Sequence, residues 1–184
     1  VVFYHAVLRL GATVVNYNPL YAKNEVLWQI QDSGTSLMVT LDVDLLWSKV
    51  RVALEEGLLE RVVLCRMSGV LPFPKNWLFP LIRRKQLARV RKEDRILDFE
   101  QVVDNPGGAG IADIDPDLDE AVFQYTGGTT GTPKAAVLRH GAIAANTHQV
   151  RMLMPAFEEG HEAFLGVLPL CHVFAMTAVM NLAL

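Results

Sequence analysis

A chain of 184 residues, 51% hydrophobic and 20% charged with a formal net charge of −3, has globular composition rather than the polar, charge-rich profile of a disordered protein. The length suits one domain or a large part of a bigger one. No basic face dominates, so no nucleic-acid partner is expected; Cys65 and Cys171 show no metal-ligand spacing and read as two reduced thiols.

The chain opens on VVFYHAVLRL, a helical pattern over residues 1–10 closed by Gly11. It lacks a starting Met and a basic segment leading to a cleavage site, so no secretory signal is expected. ATVVNYNP reads as a β-branched strand closed by Asn-Pro. Residues 23–33 read as a helix with an apolar stripe of Val26, Leu27 and Ile30, and Gly34 stands at its C-cap. SLMVTLD and RVVLCRM read as strands, with VDLLWSKVRVALEE as the helix between them. Strands and helices alternating at short intervals predict an α/β fold with a largely parallel sheet.

After Gly69 the character changes. LPFPKNWLFP is aromatic and is followed by Arg83, Arg84, Lys85, Arg89, Arg91, Lys92 and Arg95 against only Glu93 and Asp94. A solvated helix on an insertion is the expectation; a basic amphipathic helix resting on an anionic membrane is the alternative. Residues 98–120 hold eight acidic residues and no Lys or Arg, and with NPGGAG inside they read as a loop. EAVFQYT is a strand, KAAVLRH a returning strand, residues 140–154 a helix and EAFLGVLPL a buried strand. Residues 163–184 carry no Asp, Glu, Lys or Arg, a length that can span a bilayer. Pro169, His172, Thr177 and Asn181 interrupt them, so a buried strand followed by a buried helix is expected. The ending TAVMNLAL stops mid-pattern, and both ends are expected to be cut from a longer protein.

The strand EAVFQYT runs into seven consecutive Gly or Thr residues, then Pro and Lys. Ordinary turns need one or two such residues. Gly127, Gly128 and Gly131 let backbone approach a ligand with no Cβ in the way. Thr126, Thr129, Thr130 and Thr132 add hydroxyl donors, Pro133 stiffens the exit and Lys134 supplies a positive charge. Convergent N–H groups, hydroxyls and a cation suit a polyphosphate. The pattern Gly-x-x-x-x-Gly-Lys-Ser/Thr does not fit, because Lys134 follows Pro133, precedes Ala135 and leads into a strand. A plain surface loop is the competing reading.

YTGGTTGTPK, Tyr125 to Lys134, resembles the phosphate-loop signature of the adenylate-forming superfamily, which includes acyl-CoA synthetases, luciferases and peptide-synthetase adenylation domains. LPLCHVFAMT resembles its Pro-Leu-x-His-x-Phe segment. RLGATVVNYNPLYAKNEVLWQIQDSG resembles the upstream region of bacterial long-chain fatty-acid CoA ligases. The resemblance covers most of the chain apart from residues 69–119. Two departures stand out: Ala135 where the family usually has Gly, and Cys171 where a large aromatic is common.

The resemblance implies part of a large N-terminal α/β domain with mixed sheets flanked by helices. Residues 1–184 would be a partial AMP-binding domain, truncated at both ends and without the C-terminal domain. It implies a two-step reaction in which ATP, with Mg2+, activates a long-chain fatty acid to an acyl-adenylate and coenzyme A then takes the acyl group. Tyr125, Thr126, Gly127, Gly128, Thr129, Thr130, Gly131, Thr132, Pro133 and Lys134 would hold the β- and γ-phosphates. His172 would sit beside the acyl and adenylate site as the catalytic candidate, with Val173, Phe174 and Met176 near the acyl pocket. No residue of this chain is expected to ligate metal, and these residues alone are expected to be inactive. The cytoplasm is the expected location, with peripheral contact at the inner face of the membrane left open, and the oligomeric state is not legible. Alternatives are an acyl-AMP ligase, an aryl or medium-chain CoA ligase, and a noncatalytic nucleotide-binding or membrane-associated module.

Overall fold

The computed structural model describes residues 1–126 and 133–184. Along the chain run helix α1 (Val2–Arg9), strand β1 (Val14–Asn16), α2 (Lys23–Ser33), β2 (Leu37–Leu41), α3 (Asp44–Glu55), β3 (Arg61–Cys65), α4 (Met67–Val70) and α5 (Lys75–Ile82). A 3-10 turn at Arg84–Gln86 leads to β4 (Ile96–Asp98), α6 (Phe99–Val103), β5 (Glu120–Thr126), β6 (Lys134–Arg139), α7 (His140–Met152) and α8 (Val173–Ala175). A π-helical turn, Met176–Asn181, comes next. These elements form two compact units, one of Pro19–Gly108 and one of Val1–Asn18 with Ala109–Leu184.

In the Pro19–Gly108 unit, β2, β3 and β4 make a parallel sheet in that order, with Met38 opposite Val62 and Val63 opposite Leu97. Val62, Val63 and Leu64 are all buried, the continuous apolar run of a strand covered on both faces. Val26 and Ile30 of α2, and Trp47, Val50, Ala53 and Leu54 of α3, are buried in the same unit. Each large apolar side chain among them contributes about 1.5–3 kcal/mol on leaving water. Gly34 ends α2 in the left-handed conformation at φ 64°, as its sequence position predicts.

In the second unit, β5 lies between β1 and β6. It pairs parallel with β1, Val14 opposite Val122, and antiparallel with β6, Tyr125 opposite Ala135. Tyr4, Ala121, Val122, Met176 and Met180 form the core, with Leu8, Val14, Leu138, Ile143 and Leu170 packed against it. Three of the four strand pairings among the described residues are parallel, as the alternation of elements predicts.

Four expectations need correction. The basic run is not a helix beyond its 3-10 turn: Val43 and Leu87 form an antiparallel bridge, and the Ala88 N–H donates to the Asp42 carbonyl. That pairing draws the chain out of helical register. The start of the acidic stretch is not loop, because Ile96–Asp98 joins the edge of β3 and Phe99–Val103 is helical. EAFLGVLPL forms no strand, and Leu165 and Val167 are 82% and 73% exposed, since no strand among the described residues offers it a ladder. Within residues 163–184 only the second half matches, with Ala175, Met176, Thr177 and Met180 buried. No helix among the described residues is long and apolar enough to cross a membrane.

Candidate phosphate-loop site

Strand β5 delivers Tyr125 and Thr126, and β6 begins at Lys134, directly opposite Thr126 in the antiparallel ladder. The Thr126 hydroxyl donates to the Lys134 carbonyl at 3.3 Å. Paired residues in such a ladder sit about 5 Å apart at Cα, so the two ends of the glycine-threonine stretch are clamped together. Successive strand residues point to opposite faces. Tyr125 is buried in the sheet, while Thr126 and Lys134 are exposed. Pro133 is half-buried just before β6. Gly127, Gly128, Thr129, Thr130, Gly131 and Thr132 lie outside the described residues. No carboxylate among the described residues is within ion-pair distance of Lys134, so its ammonium is available to an anion.

His172 stands at the N-cap of α8, exposed. Its backbone N–H donates to the Pro169 carbonyl and its own carbonyl accepts from the Met176 N–H, both at 2.9 Å. Four residues on, the buried Met176 sulfur accepts from Asn16 Nδ2 at 3.5 Å, and the same Nδ2 donates to Gln124 Oε1 at 3.1 Å. The turn bearing His172 is thereby tied through β1 to Gln124, two residues before Thr126. The imidazole itself hydrogen-bonds neither Thr126 nor Lys134. Val173 and Phe174 are 42% and 61% exposed, whereas Met176 belongs to the core. Burial pushes the Cys171 thiol up, partly offset by a backbone hydrogen bond, and burial likewise raises Cys65. Neither thiol is primed as a nucleophile. Among the described residues no cluster of His, Cys, Asp and Glu can hold a metal ion.

A second feature escapes sequence reading. A cavity of about 830 Å³ is lined by His5 and Leu8 of α1, His140 and His148 of α7, Phe164 and Asn181, among others. The Nε2 atoms of His5 and His140 are buried without a hydrogen-bond partner among the described residues. Its lining draws on α1, α7, residues 157–164 and the end of the chain, which lie far apart in sequence. His140 comes directly after β6, so it lies past the far end of that strand from Lys134, roughly 20 Å away at about 3.3 Å per residue. The cavity is distinct from the phosphate-loop hairpin.

The sequence profile of AMP-binding enzymes matches residues 1–184. The chain belongs to the AMP-binding enzyme family. A long-chain-fatty-acid–CoA ligase of Bacillus subtilis (strain 168) is 36% identical over 98% of this chain and 32% of its own length. A probable 4-coumarate–CoA ligase of Dictyostelium discoideum is 25% identical over 97% of this chain and 31% of its own. The chain thus spans about a third of the length of the curated relatives it matches. Among solved structures, the red-emitting luciferase of Phrixothrix hirtus superposes with a TM-score of 0.65 at 18% identity, covering 95% of this chain and 30% of that one. The mixed α/β architecture is that of the N-terminal domain of adenylate-forming enzymes.

Proposed function

We propose that residues 1–184 are part of the N-terminal domain of a long-chain fatty-acid CoA ligase. The fatty carboxylate attacks the α-phosphorus of ATP, forming an acyl–phosphate bond as the link to pyrophosphate breaks. The thiol of coenzyme A then takes the acyl group and AMP leaves. Little covalent chemistry falls to the protein in the first step, so positioning and charge neutralisation supply the acceleration.

The observation that carries this reading is the Thr126–Lys134 clamp at the mouth of YTGGTTGTPK, with an exposed ammonium beside a hydroxyl. These groups suit the β- and γ-phosphates and the departing pyrophosphate. Mg2+ would accompany the nucleotide; the described residues offer it no ligand cluster. His172, exposed at an N-cap, would border the acyl and adenylate site. ATP and coenzyme A are intracellular metabolites, and a cytoplasmic enzyme would meet both.

The test is ATP–pyrophosphate exchange by the full-length protein that carries this chain, with palmitate as the acid. Exchange that requires palmitate supports the reading; no exchange with any acid from folded protein overturns it. The similarity to a probable 4-coumarate–CoA ligase favours a second reading, in which an aromatic acid supports exchange and palmitate does not.

A further inference from the structure

Helix α5 carries its apolar side chains outward. With 3.6 residues per turn, Asn76, Phe79 and Pro80 share one face and are half-buried. Trp77, Leu78, Leu81 and Ile82 share the opposite face, and Trp77, Leu81 and Ile82 are 67%, 66% and 71% exposed. Phe73, at 84%, and Val70 extend the patch toward the preceding turn. A contiguous apolar patch of this kind marks an interaction surface.

The charges next to α5 narrow the choice of occupant. Arg83, Arg84, Lys85, Arg89, Arg91 and Lys92 are all exposed, and none has a carboxylate within ion-pair distance among the described residues. A chain of net charge −3 has gathered these cations in the ten residues that follow α5. A second copy docking through the same patch would bring like charges face to face. An anionic bilayer instead offers an apolar layer for Trp77, Leu81 and Ile82 and a negative surface for the cations. Amphipathic surface segments bind by that pair of signals, and tryptophan sits at headgroup depth.

We propose that α5, with Val70, Phe73 and the cations after Ile82, is the surface by which the protein docks on an anionic lipid bilayer. It lies within the Pro19–Gly108 unit, in a stretch with no part in the phosphate loop, and it does not depend on the ligase reading.

The test is cosedimentation of the full-length protein that carries this chain with vesicles of phosphatidylglycerol in phosphatidylcholine, against phosphatidylcholine alone. The wild-type protein is expected to favour the anionic vesicles and to be released by high salt. The exposed-site variants Trp77→Ser with Leu81→Ser, and Arg83→Glu with Arg84→Glu and Lys85→Glu, should each weaken binding about tenfold, with circular dichroism unchanged. Brominated lipid should quench tryptophan emission in the wild-type protein and far less in Trp77→Leu. Equal partitioning of wild type and both variants, or no wild-type binding at low salt, overturns the proposal. So does a lipid-free dimer that Trp77→Ser disperses, which would assign the face to a second copy.

Discussion

At the scale of single residues, Lys134 and Thr126 share a ladder rung but carry different loads. The Thr126 hydroxyl is tied to the Lys134 carbonyl, whereas the Lys134 side chain is exposed and pairs with no carboxylate among the described residues. In full-length protein, Lys134→Ala should therefore lower palmitate-dependent ATP–pyrophosphate exchange about 10²–10³-fold, the usual loss for one charge-stabilising group. The melting temperature should stay unchanged, because little packing is removed; a variant with wild-type exchange would take Lys134 off the phosphates. His5 presents the opposite case. Burial pushes its imidazole below the usual range. The folded state then binds fewer protons than the unfolded state, so stability rises with pH. It is fully present above the unfolded value of about 6.5 and is lost as pH falls through the depressed folded value. Urea midpoints at pH of about 7.5 and about 5.5, on either side of that unfolded value, should differ less for His5→Gln than for the wild-type chain. An equal drop in both would show that His5 contributes nothing to the acid sensitivity.

At the scale of elements, one buried carboxylate organises the ends of three segments. Asp42 Oδ1 accepts from the Met67 N–H at 2.7 Å, its own N–H donates to the Cys65 carbonyl, and its carbonyl accepts from Ala88. Asp42→Ala should cost about 1–3 kcal/mol by leaving the Met67 N–H without its acceptor. Asp42→Asn, which keeps an acceptor, should cost less; matched denaturant curves that rank them the other way would refute this. The same contacts explain where sequence reading fails. Basic residues after α5 resemble a helix until Leu87 and Ala88 are held by Val43 and Asp42, far earlier in the chain. EAFLGVLPL has strand composition, yet a strand needs a partner edge, and composition carries no information about that edge. Ile96–Asp98 is only three residues long and is recruited by β3, so no local signal marks it. By contrast, RVVLC and the C-cap Gly34 are legible because a continuous apolar run and a left-handed terminus are local properties. The β5–β6 pairing on either side of the glycine-threonine stretch is legible for the same reason, whereas the cavity lined by His5 and His140 draws on residues far apart in the chain.

At the scale of the whole molecule, the two units make different demands on the chain. Pro19–Gly108 is one continuous segment, and its sheet pairs β2 with β3 and β3 with β4 through parallel crossovers. Its buried set includes Ile30, Trp47, Ala53, Leu54, Leu59, Val62, Val63 and Leu64. The other unit is discontinuous: Val14 must find Val122 across the whole intervening segment, and closing so long a loop costs entropy before any contact forms. A continuous segment with its own core can fold alone. Residues 19–108, expressed by themselves, should therefore melt in a single cooperative transition by circular dichroism. Leu64→Ala in that segment should lower stability by about 2–5 kcal/mol through the cavity it leaves. The complementary deletion, joining Asn18 to Ala109, should give soluble protein only if β1 and β5 still pair without the intervening unit. A 19–108 segment that shows no cooperative transition would mean that its sheet is completed by the rest of the chain, and that the division into units describes packing density rather than folding.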